Sequence, residues 1–123
     1  MRKSIFLITL VLAGCGGRGG FAPLELRATT TVDGNYQAIA DCMYLAINDD
    51  MKTWSAAVIT KADFPSKKEA RISAVANSVD LWELQIAETP SGKTDVRQLG
   101  TMSLGGPQRV PGFEQKLAAC SRR

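Results

Sequence analysis

Of the three cysteines in this chain, Cys15, Cys42 and Cys120, the first lies directly behind a segment built for export. That placement constrains the rest of the molecule more than any other feature. Two cations, Arg2 and Lys3, precede an apolar run from Ile5 to Leu12. A basic start before a short apolar stretch is the build of a secretory signal. The run is far below the roughly 20 residues that a helix needs to span a hydrocarbon core, so it does not read as a transmembrane anchor. An ordinary signal ends at a small-x-small site, whereas this one ends Leu12, Ala13, Gly14, Cys15.

That tetrad resembles the lipobox of bacterial lipoproteins. The resemblance implies cleavage by signal peptidase II before Cys15, a diacylglyceryl thioether on its sulfur and acylation of the new amine. Several acyl chains would hold the protein on the membrane, since each buried methylene contributes about 0.8 kcal/mol. By the sorting rule of Gram-negative lipoproteins, Gly16 in place of an aspartate favours the outer membrane, facing the periplasm. The organisation expected is therefore a signal peptide over 1–14, an acylated cysteine and glycine-rich tether over 15–23, and one small α+β domain over 24–123. Gly16, Gly17, Gly19 and Gly20, interrupted by Arg18, make a flexible linker composition. Eight residues stretch to about 26–29 Å at most, which keeps the domain close to the membrane.

Removing residues 1–14 from the 123 leaves 109, one domain's worth. The formal charge of +3 includes Arg2 and Lys3, so the mature chain is nearly neutral and offers no basic stripe for nucleic acid. With Cys15 lipidated, Cys42 and Cys120 form an even pair in an exported domain, which reads as a disulfide. Free buried thiols or a cysteine ligand pair are the alternatives, and the chain has no histidine to complete a zinc site of the usual kind.

Leu24, Leu26 and Ala28 alternate with Glu25 and Arg27 ahead of a threonine run, a strand pattern. Asp33, Gly34 and Asn35 supply a turn and a helix N-cap. From Tyr36 to Asn48 the polar positions Gln37, Asp41, Tyr44 and Asn48 share one face. Ala38, Ile39, Cys42, Leu45 and Ala46 fill the other, which is expected to be buried. Trp54, Ala56 and Val58 fall on one parity of a strand over 54–60, and Phe64, Pro65, Ser66 and two lysines make a loop. Ala70, Ile72 and Ala74 suit a strand, although Ile72, Val75, Ala76 and Val79 would suit a helix. Trp82, Leu84 and Ile86 form a strand that turns through Thr89–Gly92 into a partner over Thr94–Leu99. Gly105, Gly106 and Pro107 mark a loop, and Phe113, Leu117 and Cys120 line one face of a final helix.

The order predicts an antiparallel sheet of about four or five strands with two helices on one face, stapled by the disulfide. It resembles, at the level of fold alone, the helix-grip domains of lipoproteins attached to the outer-membrane protein assembly machine.

The catalytic inventory is thin. Ala87 with Gly92, Lys93 and Thr94 fits a relaxed phosphate-loop pattern, but such a loop joins a strand to a helix N-terminus. Here a strand follows, so a β-turn is the reading. Without histidine there is no Ser-His-Asp or Cys-His constellation, and Ser66 beside Lys67 is a polar loop. Asp49 and Asp50 sit unfavourably at a helix C-terminus, but a calcium site needs six to eight oxygens, so they read as a solvated turn. Trp54 and Trp82 read as core, and Lys67–Lys68 and Arg122–Arg123 as solvated charges, with contact to anionic lipid as the alternative. No catalytic, metal or cofactor residue is assigned. A non-catalytic accessory module of an envelope assembly is expected, with the membrane and an envelope protein as partners. A small-ligand or lipid-binding lipoprotein is the alternative.

Overall fold

A computed structural model describes residues 23–51, 57–103 and 106–121. The elements run β1 (Glu25–Val32), α1 (Tyr36–Met51), β2 (Val58–Phe64), β3 (Glu69–Ala76), β4 (Val79–Glu88), β5 (Thr94–Gly100), β6 (Met102–Ser103), β7 (Gly106–Pro107) and α2 (Phe113–Ser121). The first five strands form an antiparallel sheet in the order β1-β5-β4-β3-β2. The two edge strands, β1 and β2, are joined by α1, which carries the chain across the sheet. Three tight connections then bring it back strand by strand. Residues 69–76 are a strand, since the Ala70, Ile72, Ala74 alternation gives β3 a buried row facing that of β4.

Local chemistry sets the connections. The Asn35 side-chain oxygen accepts from the N–H groups of Gln37 (2.9 Å) and Ala38 (3.0 Å), satisfying helix-start donors that otherwise have no partner. Thr94 Oγ1 donates to the Gly34 carbonyl at 2.7 Å, which ties that cap to β5. Asn77 and Ser78 both take positive φ (53° and 66°), as the two-residue turn between β3 and β4 demands. Gly106 and Pro107, expected in a loop, pair instead with Met102 and Ser103 as a small hairpin. So short an edge pairing tolerates a proline.

The core lies between one sheet face and the helices. Ile72, Ala74, Trp82, Leu84, Ile86 and Val96 point from the sheet and are essentially sealed from solvent. Phe113, Leu117 and Cys120 close it from α2, at the spacing the sequence predicts. Cys42 and Cys120 are bonded, with Cα atoms 5.7 Å apart, so the staple between the two helices is present.

Three facing assignments differ from expectation. In α1 the buried stripe is Tyr36, Ile39, Ala40, Met43 and Ile47, while Leu45 is 66% exposed and Ala38 faces solvent. The helix is turned by roughly a third of a turn from the predicted face, at 3.6 residues per turn. Both stripes contain Ile39, but the observed one buries the larger Tyr36, Met43 and Ile47, which removes more apolar area from water. Cys42 lies at the stripe's flank, half-buried, where it meets α2. In β1 a bulge makes Arg27 the extra residue: Leu26 pairs with Leu99, and Ala28 pairs with Gln98. One inserted residue reverses the parity, so Ala28 faces inward while Leu26 is 51% exposed on the open face. In β2 the inward residue is Ile59, which pairs with the buried Ala74, and Val58 points outward at 62% exposure. Trp54 and Ala56, assigned to that strand, lie outside the described residues.

Candidate functional site

The tetrad that ends at Cys15 lies outside the described residues, as do Arg122 and Arg123. The chain enters the described structure at Pro23 and Leu24, next to the first residue of β1. Glu25 there pairs with Gly100 at the end of β5. This end of the sheet, where the described chain begins, carries much of the exposed apolar surface. Leu26 and Val58 sit on the open face of the two edge strands, and Met102, 56% exposed, follows β5 directly. The opposite end carries the ion pairs of Lys93 with Asp33 (2.7 Å), Lys68 with Glu88 (3.8 Å) and Arg71 with Glu69 (2.6 Å). Lys67 stands there over the Phe64 ring at 5.9 Å, and the Arg71 guanidinium lies over the same ring at 5.0 Å.

Two surface hollows flank the helices. One, of about 490 Å³, opens beside the start of α2 between Gln98, Arg109, Phe113 and Gln115. Gln98 is buried, and its side-chain carbonyl accepts the Val110 N–H at 2.7 Å, so it holds the approach to α2 against β5. The other, of about 300 Å³, lies between α1 and β2 and is lined by Gln37, Asp41, Lys61 and Asp63. Lys61 reaches Asp41 at 3.1 Å across its mouth. An inward-pointing charge of this kind also blunts an edge strand against pairing with another chain. At the start of α1, burial raises the Tyr36 phenol above its ordinary value, with the charges of Asp63 and Glu88 adding to the shift.

The residues weighed on sequence as chemical candidates take structural roles. Gly92, Lys93 and Thr94 close the β4–β5 turn, where the Thr89 N–H donates to the Lys93 carbonyl at 2.8 Å. No helix follows that turn to cradle a phosphate. Asp50 pairs with Lys116 of α2 at 2.7 Å, and the same ammonium donates to the Pro111 carbonyl. A cation therefore offsets the helix-end charge. Ser66 and Lys67 lie in a 3-10 turn, and Trp82 is core. Among the described residues no group of three or more acidic, cysteine or histidine side chains converges on a metal position.

Arg27 is a feature that alternation conceals. Read as an outward polar position, it is instead the bulge residue, with its side chain 13% exposed and Nη1 3.5 Å from Glu25. Its Nε and Nη2 are buried with no hydrogen-bond partner among the described residues. No local signal in the sequence marks the bulge, because bulges depend on the partner strand.

Compared with protein-family models, with curated proteins and with solved structures, the chain matches none. Among the described residues no helix is long and apolar enough to cross a membrane.

Proposed function

We propose that this chain is a bacterial lipoprotein whose domain acts as a non-catalytic interaction module of an envelope assembly. The observation that carries the reading is the sequence Leu12, Ala13, Gly14, Cys15 behind a basic and apolar leader. In a Gram-negative envelope Gly16 directs such a protein to the outer membrane, with the domain in the periplasm. Three features support the reading without depending on the tetrad. The Cys42–Cys120 bond belongs to an oxidising compartment. Both cysteines of the domain are thereby withdrawn from nucleophilic chemistry. The sheet face opposite the helices is polar at its centre, with Glu83, Gln85, Arg97 and Arg71 pointing away from the core, which suits a polar, reversible contact with another protein.

In-cell crosslinking of the native protein, followed by detergent extraction, pull-down and mass spectrometry, tests the proposal. Reproducible recovery of one envelope protein is expected, and recovery of the lipoprotein alone would contradict it. The hollow beside α2, within the size range of small-ligand sites, favours a second reading, that of a small-ligand or lipid-binding lipoprotein. Native mass spectrometry showing a co-purified molecule, released by filling the hollow with Ala118→Trp, would favour that reading instead.

A further inference from the structure

We infer that the tether end of the sheet is a membrane-seating surface: Leu26, Val58 and Met102 rest in the bilayer beside the lipid anchor. The inference rests on the lipoprotein reading above and adds an orientation to it. Its first support is position. β1 and β2 run in the same direction at the two edges of the sheet, and both begin at the end where the chain enters. The register extends this across the sheet. Glu25, Gly100, Trp82, Ala74 and Ile59 form one cross-strand row. Val58 pairs with Val75 just beyond it, and the Thr101 N–H donates to the Leu81 carbonyl there. Leu26 and Val58 thus stand on the two edges of one end, roughly 19 Å apart at four strand spacings. Met102 follows two residues after Gly100.

The second support is the length of chain outside the described structure and where it ends. Eight residue steps lead from Cys15 to Pro23, and they reach no farther than about 26–29 Å even when extended. An eight-residue strand spans a similar length, roughly 27 Å. The anchor can therefore bring the β1 start to the membrane without extension, whereas seating the far end would use nearly the whole tether. The third support is the contrast between the ends. Among the described residues three of the four large exposed apolar side chains stand at the end beside the anchor, a concentration that marks a contact surface. The ion pairs of Lys93, Lys68 and Arg71 lie at the end that would face away, and that of Arg27 with Glu25 lies at the seating end. Leu45, on the outward side of α1, is not part of this surface.

Charge does not drive the contact. Glu25 is exposed at the seating end, and Lys67 and Lys68 lie at the other, so anionic lipid is not required. The seating should form on phosphatidylcholine vesicles and persist in salt.

The lipidated chain makes the test direct. With Cys15 a thioether and Cys42 and Cys120 bonded, a cysteine introduced at the surface is the free thiol available for a spin label. Leu26→Cys, Val58→Cys, Met102→Cys and, at the far end, Ser91→Cys are labelled after peptide mapping verifies the Cys42–Cys120 bond. They are then reconstituted in phosphatidylcholine vesicles. Collision rates with oxygen, concentrated in lipid, and with a nickel chelate, confined to water, report immersion. Labels at 26, 58 and 102 are expected to favour oxygen several-fold relative to the label at 91. Protein that floats with the vesicles while all four labels favour the chelate overturns the seating and leaves the anchor standing. Protein that neither floats nor carries acyl mass removes the anchor and the seating together. Labels wet in vesicles but shielded from both reagents in native membranes would give this surface to a protein partner, and would also overturn the inference.

Discussion

Removing the Cys42–Cys120 bond, by C42A/C120A, should cost this domain a large share of its stability. The two cysteines are 78 positions apart, so the bond closes a loop that contains α1 from Cys42 onward, every strand of the five-stranded sheet except β1, and α2 up to Cys120. In the chain-entropy description, a loop of that length restricts the unfolded chain by about 4.5 kcal/mol at 25 °C. Domains of this size are stable by roughly 5–15 kcal/mol in total. The variant should therefore be marginal or unfolded if the native protein lies near the lower end of that range, and remain folded with a reduced margin above it. Its melting temperature should drop by on the order of 20 °C or more. Alanine at 120 also empties space at a position only 4% exposed, which adds to the loss. Urea unfolding followed by tryptophan fluorescence, with and without the bond, measures the effect. The denaturant slope should rise, because the unfolded chain without the crosslink exposes more surface. A loss below about 1 kcal/mol with an unchanged slope would refute the reasoning. It would mean that packing between α1 and α2 already holds the ends of the loop together.

Asn35→Ala removes the acceptor for two helix-start N–H groups and should cost about 1 kcal/mol, read as a lower urea midpoint with the slope unchanged. Gln98→Leu leaves the Val110 N–H unpaired in a buried position and should cost about 1–3 kcal/mol. Hydrogen exchange at the start of α2 should accelerate with it. Gly100→Ala places a Cβ onto the Gln108 carbonyl oxygen and should displace the β6–β7 hairpin, seen as amide shift changes at Met102 and Gln108. Lys93 holds the Asp33 carboxyl below the usual range by a hydrogen bond and its charge. That group therefore favours the fold above its unfolded pKa, and the contribution is lost as pH falls through the lower folded value. Lys93→Met should return the Asp33 titration to the ordinary range in a carboxyl NMR series. Tyr36 carries the opposite sign at alkaline pH: its raised phenol lets the folded state keep its proton, so stability declines as pH rises above the unfolded tyrosine value of about 10.

Much of the architecture was legible because it rests on strict two-residue alternation. Trp82, Leu84 and Ile86 could face only one way, and Ala70, Ile72 and Ala74 follow the same rule once paired with them. The cap at Asn35 and the stripe Phe113, Leu117, Cys120 were equally local. What failed was facing wherever the deciding information sat elsewhere in the chain. The parity of β1 reverses at Arg27, and only the register against β5 shows it. The inward residue of β2 is set by Ala74 across the ladder. Helix α1 is apolar over most of its circumference, so periodicity admitted two stripes, and the volumes of Tyr36, Met43 and Ile47 chose between them. These corrections also place Leu26 and Val58 on the surface, where they form the seating end. The proposed anchor rests on a resemblance alone, because a lipobox is read by enzymes and not by the fold.

The measurement that bears most directly on the account is the intact mass and N-terminal sequence of the protein extracted from the membranes of its own cells. The account predicts a chain that begins at Cys15 and carries a diacylglyceryl group and an amide-linked acyl chain, with Cys15→Ser leaving an uncleaved, unacylated precursor. A mature chain that begins at any other residue, or one that begins at Cys15 without acyl mass and is released in soluble form, would contradict it.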